Sequence, residues 1–131
     1  MLAHELSVAP AVTRALERYQ ASLETAFGHR LREFVLYGSQ ARGTAHEESD
    51  VDVLVVVDDL TEDEHRLAVD LAYDANAVER EIWVGISPLV RSTTAMNDLR
   101  ASERLITCDI ARDGIWLFGS APNAIDPDID N

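Results

Sequence analysis

Gly38-Ser39-Gln40-Ala41-Arg42-Gly43, separated by six residues from Asp50-Val51-Asp52, is the stretch on which the reading of this chain turns. It joins two apolar runs. Leu31 to Tyr37 is rich in β-formers, and Val51 to Val57 is almost continuously apolar, so both are predicted as strands, the second buried within a sheet. Between them, Gly38-Ser39 ends the first run, and the small residues Ser39, Ala41 and Gly43 suggest a tight helical turn. Glycine lets backbone approach a phosphate closely, and exposed N–H groups at a helix start favour an anion. The Ser39 hydroxyl can add a bond to a phosphate oxygen. Arg42 can reach a phosphate or pair with Glu47, Glu48 or a strand-end carboxylate, and Gly43 lets the chain turn.

Asp-x-Asp alone says nothing here. With 13 aspartates in 131 residues, chance placement gives about one such pair, and the tail holds two more in Asp126/Asp128 and Asp128/Asp130. Position lifts Asp50 and Asp52 above that background. Strand side chains alternate, so both carboxylates face one way and Val51 the other. They stand at the mouth of the most apolar strand, where unpaired carboxylates are costly without a cation. Two such groups about 7 Å apart along a strand suit shared Mg²⁺ coordination, the hard cation that also bridges nucleotide phosphates. The plain alternative is a solvated, acidic strand start.

Outward from this core, Val12, Leu16, Tyr19, Leu23 and Phe27 recur at helical spacing and stop at Gly28. Thr44 to Ser49 reads as a polar loop. Thr61 with Glu64 forms a capping-box pattern opening a helix expected to bury Leu67, Leu71, Ala75 and Val78. Glu81 to Val90 is a third strand, expected to close at Ser87-Pro88. A helix from about Thr94 to Gly114, with room for a break, precedes a last strand, Ile115 to Phe118. The expected fold class is α/β (α+β): a small mixed sheet with helices packed on it. The expected organisation is one domain over residues 1–120, with its motif core at 31–57, and a mobile acidic tail over 121–131.

Composition narrows the function classes. The 47% apolar fraction supports a packed globule rather than a disordered chain. A formal net charge of −13 argues against direct nucleic-acid binding, and all eleven cationic side chains are arginine. The single cysteine, Cys108, excludes an intramolecular disulfide. No apolar stretch reaches membrane-spanning length, and the amino terminus lacks a basic-then-apolar signal pattern. These features predict a soluble, cytoplasmic protein. His4, His29, His46 and His65 show no zinc-ligand spacing, Cys108 reads as core rather than nucleophile, and Trp83, Trp116 and Phe118 fit packing.

The glycine-serine turn, Ala41-Arg42-Gly43 and then Asp50-Val51-Asp52-Val53-Leu54-Val55 resemble the signature of the polymerase-β-like nucleotidyltransferase superfamily. The short chain is similar to its minimal nucleotidyltransferase (MNT) branch, whose members often act as antitoxins to HEPN-domain ribonucleases. The likeness is specific over about Leu31 to Val57 and looser onward to Gly119. It implies a nucleotidyltransferase fold, with Asp50 and Asp52 binding catalytic Mg²⁺ and Gly38 and Ser39 holding the triphosphate of ATP. The implied activity is transfer of AMP to a hydroxyl of a HEPN-type toxin. The alternatives are an inactive nucleotide-binding antitoxin that masks its partner and a small-molecule enzyme of the aminoglycoside-modifying kind. Oligomeric state is left open, a homo-oligomer included.

One departure from the superfamily pattern stands out. A third carboxylate usually lies on the third strand, on the face of the aspartate pair. By alternation that face carries either Glu81, Trp83, Gly85 and Ser87, or Ile82, Val84 and Ile86. The expected position falls near Trp83 or Gly85, neither of which binds a metal. Glu81 is the only acid on the candidate face, one or two strand steps away, roughly 7–13 Å. It is carried as a third metal-ligand candidate, with a solvated charge near Arg80 as its alternative.

Overall fold

A computed structural model describes residues 8–45, 50–77, 84–102 and 105–121. The elements run α1 (Pro10–Phe27), a short 3-10 turn (Gly28–Arg30), β1 (Leu31–Tyr37), α2 (Ser39–Arg42), β2 (Val51–Val57), α3 (Glu62–Ala77), β3 (Ile86–Ser92), α4 (Thr93–Ala101), α5 (Leu105–Asp113) and β4 (Ile115–Phe118). The four strands form one mixed sheet in the order β3-β2-β1-β4. β1 is antiparallel to β2 and to β4, and β2 runs parallel to β3. Among the described residues, no helix is long and apolar enough to cross a membrane.

Helices cover both faces of the sheet. Val51, Val53, Val55 and Val57 of β2 pack with α1 and α3, while Leu54 and Val56 pack with Met96 of α4 and Ile110 of α5. This double burial is why β2 is a continuous apolar run instead of an alternating one. On the first face, the buried Tyr19 meets Phe34 edge-on, with ring centroids 5.6 Å apart, and donates its hydroxyl to the Ala68 carbonyl at 2.8 Å. On the second, the buried Glu33 accepts both Arg100 guanidinium nitrogens at 3.1 and 2.9 Å and the Trp116 indole N–H at 2.9 Å. That carboxylate ties α4 and β4 to β1, and each of its strong acceptor positions is served by a charged or N–H donor.

The capping box forms as its sequence predicts. The Thr61 N–H donates to Glu64 Oε1 at 3.1 Å, and the Glu64 N–H donates to Thr61 Oγ1 at 3.2 Å. The buried stripe of α3 keeps Ala75 as expected and otherwise differs. Ala68, Ala72 and Ala75 face inward, Leu71 is half-buried and Leu67 is 42% exposed. Alanines let α3 approach Tyr19 of α1 closely, which a leucine stripe would prevent. Val78 lies outside the described residues.

Two further expectations are corrected. β3 does not close at Ser87-Pro88 but runs through them to Ser92. β3 is an edge strand, where the missing proline N–H can face solvent without breaking a ladder bond. Cys108 is exposed on α5, whose buried side is carried by Thr107 and Ile110. The anticipated break near the middle of the long helix is real and separates α4 from α5.

Candidate active site

β1 and β2 are antiparallel, so the end of β1 and the start of β2 meet at one end of the sheet, with Tyr37 opposite Asp52. Gly38 follows at φ +77°, a backbone region that glycine enters freely, and turns the chain into the single-turn helix α2. A Cβ on Gly38 would stand 2.5 Å from Asp52 Oδ2, so only glycine allows this turn to pack on that carboxylate. The first N–H groups of so short a helix have no intrahelical carbonyl to bond. Gly43, at φ +76°, closes the turn, and the Thr44 N–H bonds the Ser39 carbonyl at 3.0 Å. The glycine-serine turn and Asp52 are thus brought together as predicted.

Asp50 is exposed just ahead of β2, and Asp52 is half-buried within it. Burial raises the Asp52 carboxyl above its ordinary value, the Asp50 charge raises it further, and the Arg42 charge partly offsets both. This is an anion pair short of positive charge. A hard divalent cation would relieve it, so the donor chemistry of Asp50 and Asp52 fits Mg²⁺.

The Arg42 guanidinium lies 3.7 Å from an Asp113 carboxylate oxygen at the end of α5. Arg112 chiefly, and Arg42 after it, hold the Asp113 carboxyl below its ordinary value. Arg42 therefore sits between a structural partner and the site, its charge felt at Asp52. The alternative partners Glu47 and Glu48 lie outside the described residues. Tyr37, which sequence reading passed over, stands beside Asp52. Burial and then the Asp52 charge raise its phenol, while Arg91 lowers it, so it remains protonated. Only the strand register could have revealed it.

Register also settles which face of the third strand meets the aspartates. Ser87 pairs with Asp52, so the set Gly85 and Ser87 shares its side, while Val84 and Ile86 are buried with the α1 and α3 layer. Glu81 and Trp83 lie outside the described residues. Among the described residues, no cluster of three His, Cys, Asp or Glu side chains could hold a metal ion. The position opposite Asp52 is Ser87.

The Methanocaldococcus jannaschii protein MJ0604, named as a candidate protein adenylyltransferase, is 38% identical to this chain over 45 residues. That alignment covers 34% of this chain and 45% of MJ0604, less than half of the relative's length. A solved toxin–antitoxin structure with AMP-PNP superposes with a TM-score of 0.52 at 24% identity, covering 79% of this chain and 73% of the other. The structure of a point mutant of the toxin–antitoxin pair MntA-HpeT gives 0.51 at 23% identity, covering 79% and 72%. Both likenesses carry the fold. The profile of the nucleotidyltransferase domain family matches residues 16–94, well over half of the chain and all of the glycine-turn and aspartate motif, and the chain belongs to that family.

Proposed function

We propose that the chain is a Mg²⁺-dependent nucleotidyltransferase that transfers AMP from ATP to a hydroxyl of a partner protein, a HEPN-type ribonuclease, and so serves as its antitoxin. The observation that carries this reading is Gly38 packed directly on Asp52, which sets a glycine-serine turn beside a carboxylate pair short of positive charge. The relative's name supports adenylyl transfer to protein, and the fold likeness to a toxin–antitoxin structure with AMP-PNP supports both the nucleotide and the kind of partner.

In the proposed reaction Gly38 and Ser39 hold the triphosphate through backbone N–H groups and the serine hydroxyl. Asp50 and Asp52 would hold Mg²⁺, which when bound would supply charge neutralisation at the phosphates. The acceptor hydroxyl gives up its proton to solvent as its oxygen bonds the α-phosphorus, and the bond from that phosphorus to the bridging oxygen breaks, so an ester replaces the anhydride bond and pyrophosphate leaves. Arg42 adds positive charge near the phosphates while Asp113 positions it. Little covalent work falls to the chain, so placement and charge carry the rate.

One observation favours a second reading, a nucleotide-binding antitoxin that neutralises its partner by masking it: Ser87, and not an acid, stands opposite Asp52. Labelled ATP, Mg²⁺ and the neighbouring gene's product separate the two. The first reading expects label on the partner, lost with Asp50→Asn/Asp52→Asn. Absence of transfer, with the double variant still neutralising the toxin, favours masking.

A further inference from the structure

The outer side of α3 carries apolar side chains where a solvated helix would be polar. Five large hydrophobic residues are exposed among the described residues, and three of them stand on this helix: Tyr73 at 64%, Leu67 at 42% and Val69 at 38%. Val69 and Tyr73 lie one turn apart on one flank, and Leu67 lies one turn from the half-buried Leu71 on the other. The inner side is already occupied by Ala68, Ala72 and Ala75, buried with the residues of α1. α3 thus has apolar surface beyond what the fold uses, the pattern of a helix that meets another molecule.

A line of carboxylates runs between the two flanks. Asp63, Leu67, Asp70 and Asp74 recur at i, i+4, i+7 and i+11, and all four are exposed. None of the three aspartates pairs with a cation among the described residues. Arg66 is the single arginine of the helix. That charge selects the occupant. A second copy of the chain would set these acids against their own images, because a two-fold contact brings one patch onto itself. Anionic lipid and nucleic acid are repelled for the same reason. So is the acidic segment of this chain holding Asp126, Asp128 and Asp130. A protein surface with an apolar groove rimmed by arginine or lysine satisfies both the apolar flanks and the acids between them.

We propose, resting on the partner reading given above, that the outer side of α3 is where the basic partner protein docks. Leu67, Val69 and Tyr73 enter its apolar groove, and Asp63, Asp70 and Asp74 meet the cations at the rim. The place of contact has a consequence for the reaction. α3 covers the sheet face that carries Val53 and Val55, whereas Asp52 shares the opposite face with Leu54 and Val56. A partner held on α3 therefore leaves the Asp52 side uncovered, so holding the partner and modifying it are separate tasks of the chain.

The test is calorimetric titration of the full chain with the neighbouring gene's product, in the absence of ATP, with amide NMR shifts of the labelled chain locating the contact. Saturable binding is expected, with shifts clustered over residues 66–74. Leu67→Ser combined with Tyr73→Ser should weaken it by about tenfold or more. Asp70→Arg should do the same, while Asp98→Arg, an equal charge change at an exposed position of α4, should leave affinity within about twofold. Leu67, Asp70 and Tyr73 are all exposed, and unchanged thermal melts of the variants guard against a folding artefact. Full affinity in the Leu67 and Tyr73 variant, equal losses with Asp70→Arg and Asp98→Arg, or shifts clustered away from α3 would overturn this docking site and leave the partner reading standing. Self-association of the chain that Leu67→Ser abolishes would assign the surface to a second copy and overturn it as well. No binding by the parent chain would overturn both the docking site and the partner reading.

Discussion

Asp52 shows how a half-buried carboxylate strains the fold that carries it. Its carboxyl is held above the ordinary value of 3.8, so the folded chain keeps that proton more tightly than the unfolded chain does. The contribution therefore favours the fold below the ordinary value and is lost as pH rises through the elevated one. At neutral pH Asp52 is a liability. Asp52→Asn should raise Tm at pH 7 by roughly 1–3 °C, with the gain vanishing near pH 3.8. Thermal melts at the two pH values check this, and a lower Tm at pH 7 would contradict it. At this scale the sequence was informative where spacing alone fixes proximity, as for Gly38, Ser39, Asp50 and Asp52. It was silent about Tyr37, Ser87 and Asp113, whose places depend on strand register or on a distant helix end.

Among the elements, β1 and β2 were legible to the residue, because burial on both faces leaves an unmistakable apolar run. α3 was legible as a helix but only partly as a face, with Ala75 buried as expected and Leu67 exposed. Two stripes compete on it, one leucine-led and one of alanines, and hydrophobicity favours the first while close approach to α1 selects the second. Ala72→Leu should thus destabilise the chain by about 1–3 kcal/mol through overpacking, whereas Leu67→Ala should cost under about 1 kcal/mol. Urea denaturation distinguishes them, and the reverse order would restore the leucine stripe.

The start of the same helix makes an acid-sensitive joint. Arg30 donates to both Glu64 oxygens, at 2.8 and 2.7 Å, and the Thr61 backbone adds a third bond. The Arg30 bond chiefly, and then Thr61, lower the Glu64 carboxyl from 4.5 to about 2. A depressed value in the fold means stability present above pH 4.5 and lost as pH falls toward about 2. Glu64→Gln should be less stable than the parent at pH 7 and should show a flatter acid limb. Denaturation midpoints between about pH 5 and the depressed value of about 2 measure this directly, and parallel limbs would show that the joint carries no proton linkage.

On the scale of the whole molecule, one sheet with helices on both faces brings a net acidic charge and a glycine-serine turn beside Asp52 into a chain of 131 residues. The fold class was legible because helix and strand periods alternate cleanly along the chain. The order β3-β2-β1-β4 was not, since pairing between distant strands leaves no local trace. A negative net charge of 13 fits a basic protein partner better than a polyanion. It also makes the local positive charge at Arg42 conspicuous.

The central claim is that the Gly38 turn and the Asp50 and Asp52 pair together hold a magnesium nucleotide. Calorimetric titration with an ATP analogue carrying a non-cleavable α,β-bridge tests it most directly. The account predicts saturable binding that requires Mg²⁺, is abolished by chelation, and falls at least about tenfold in Asp50→Asn/Asp52→Asn. Binding of equal strength without the metal, or undiminished in the double variant, would contradict it.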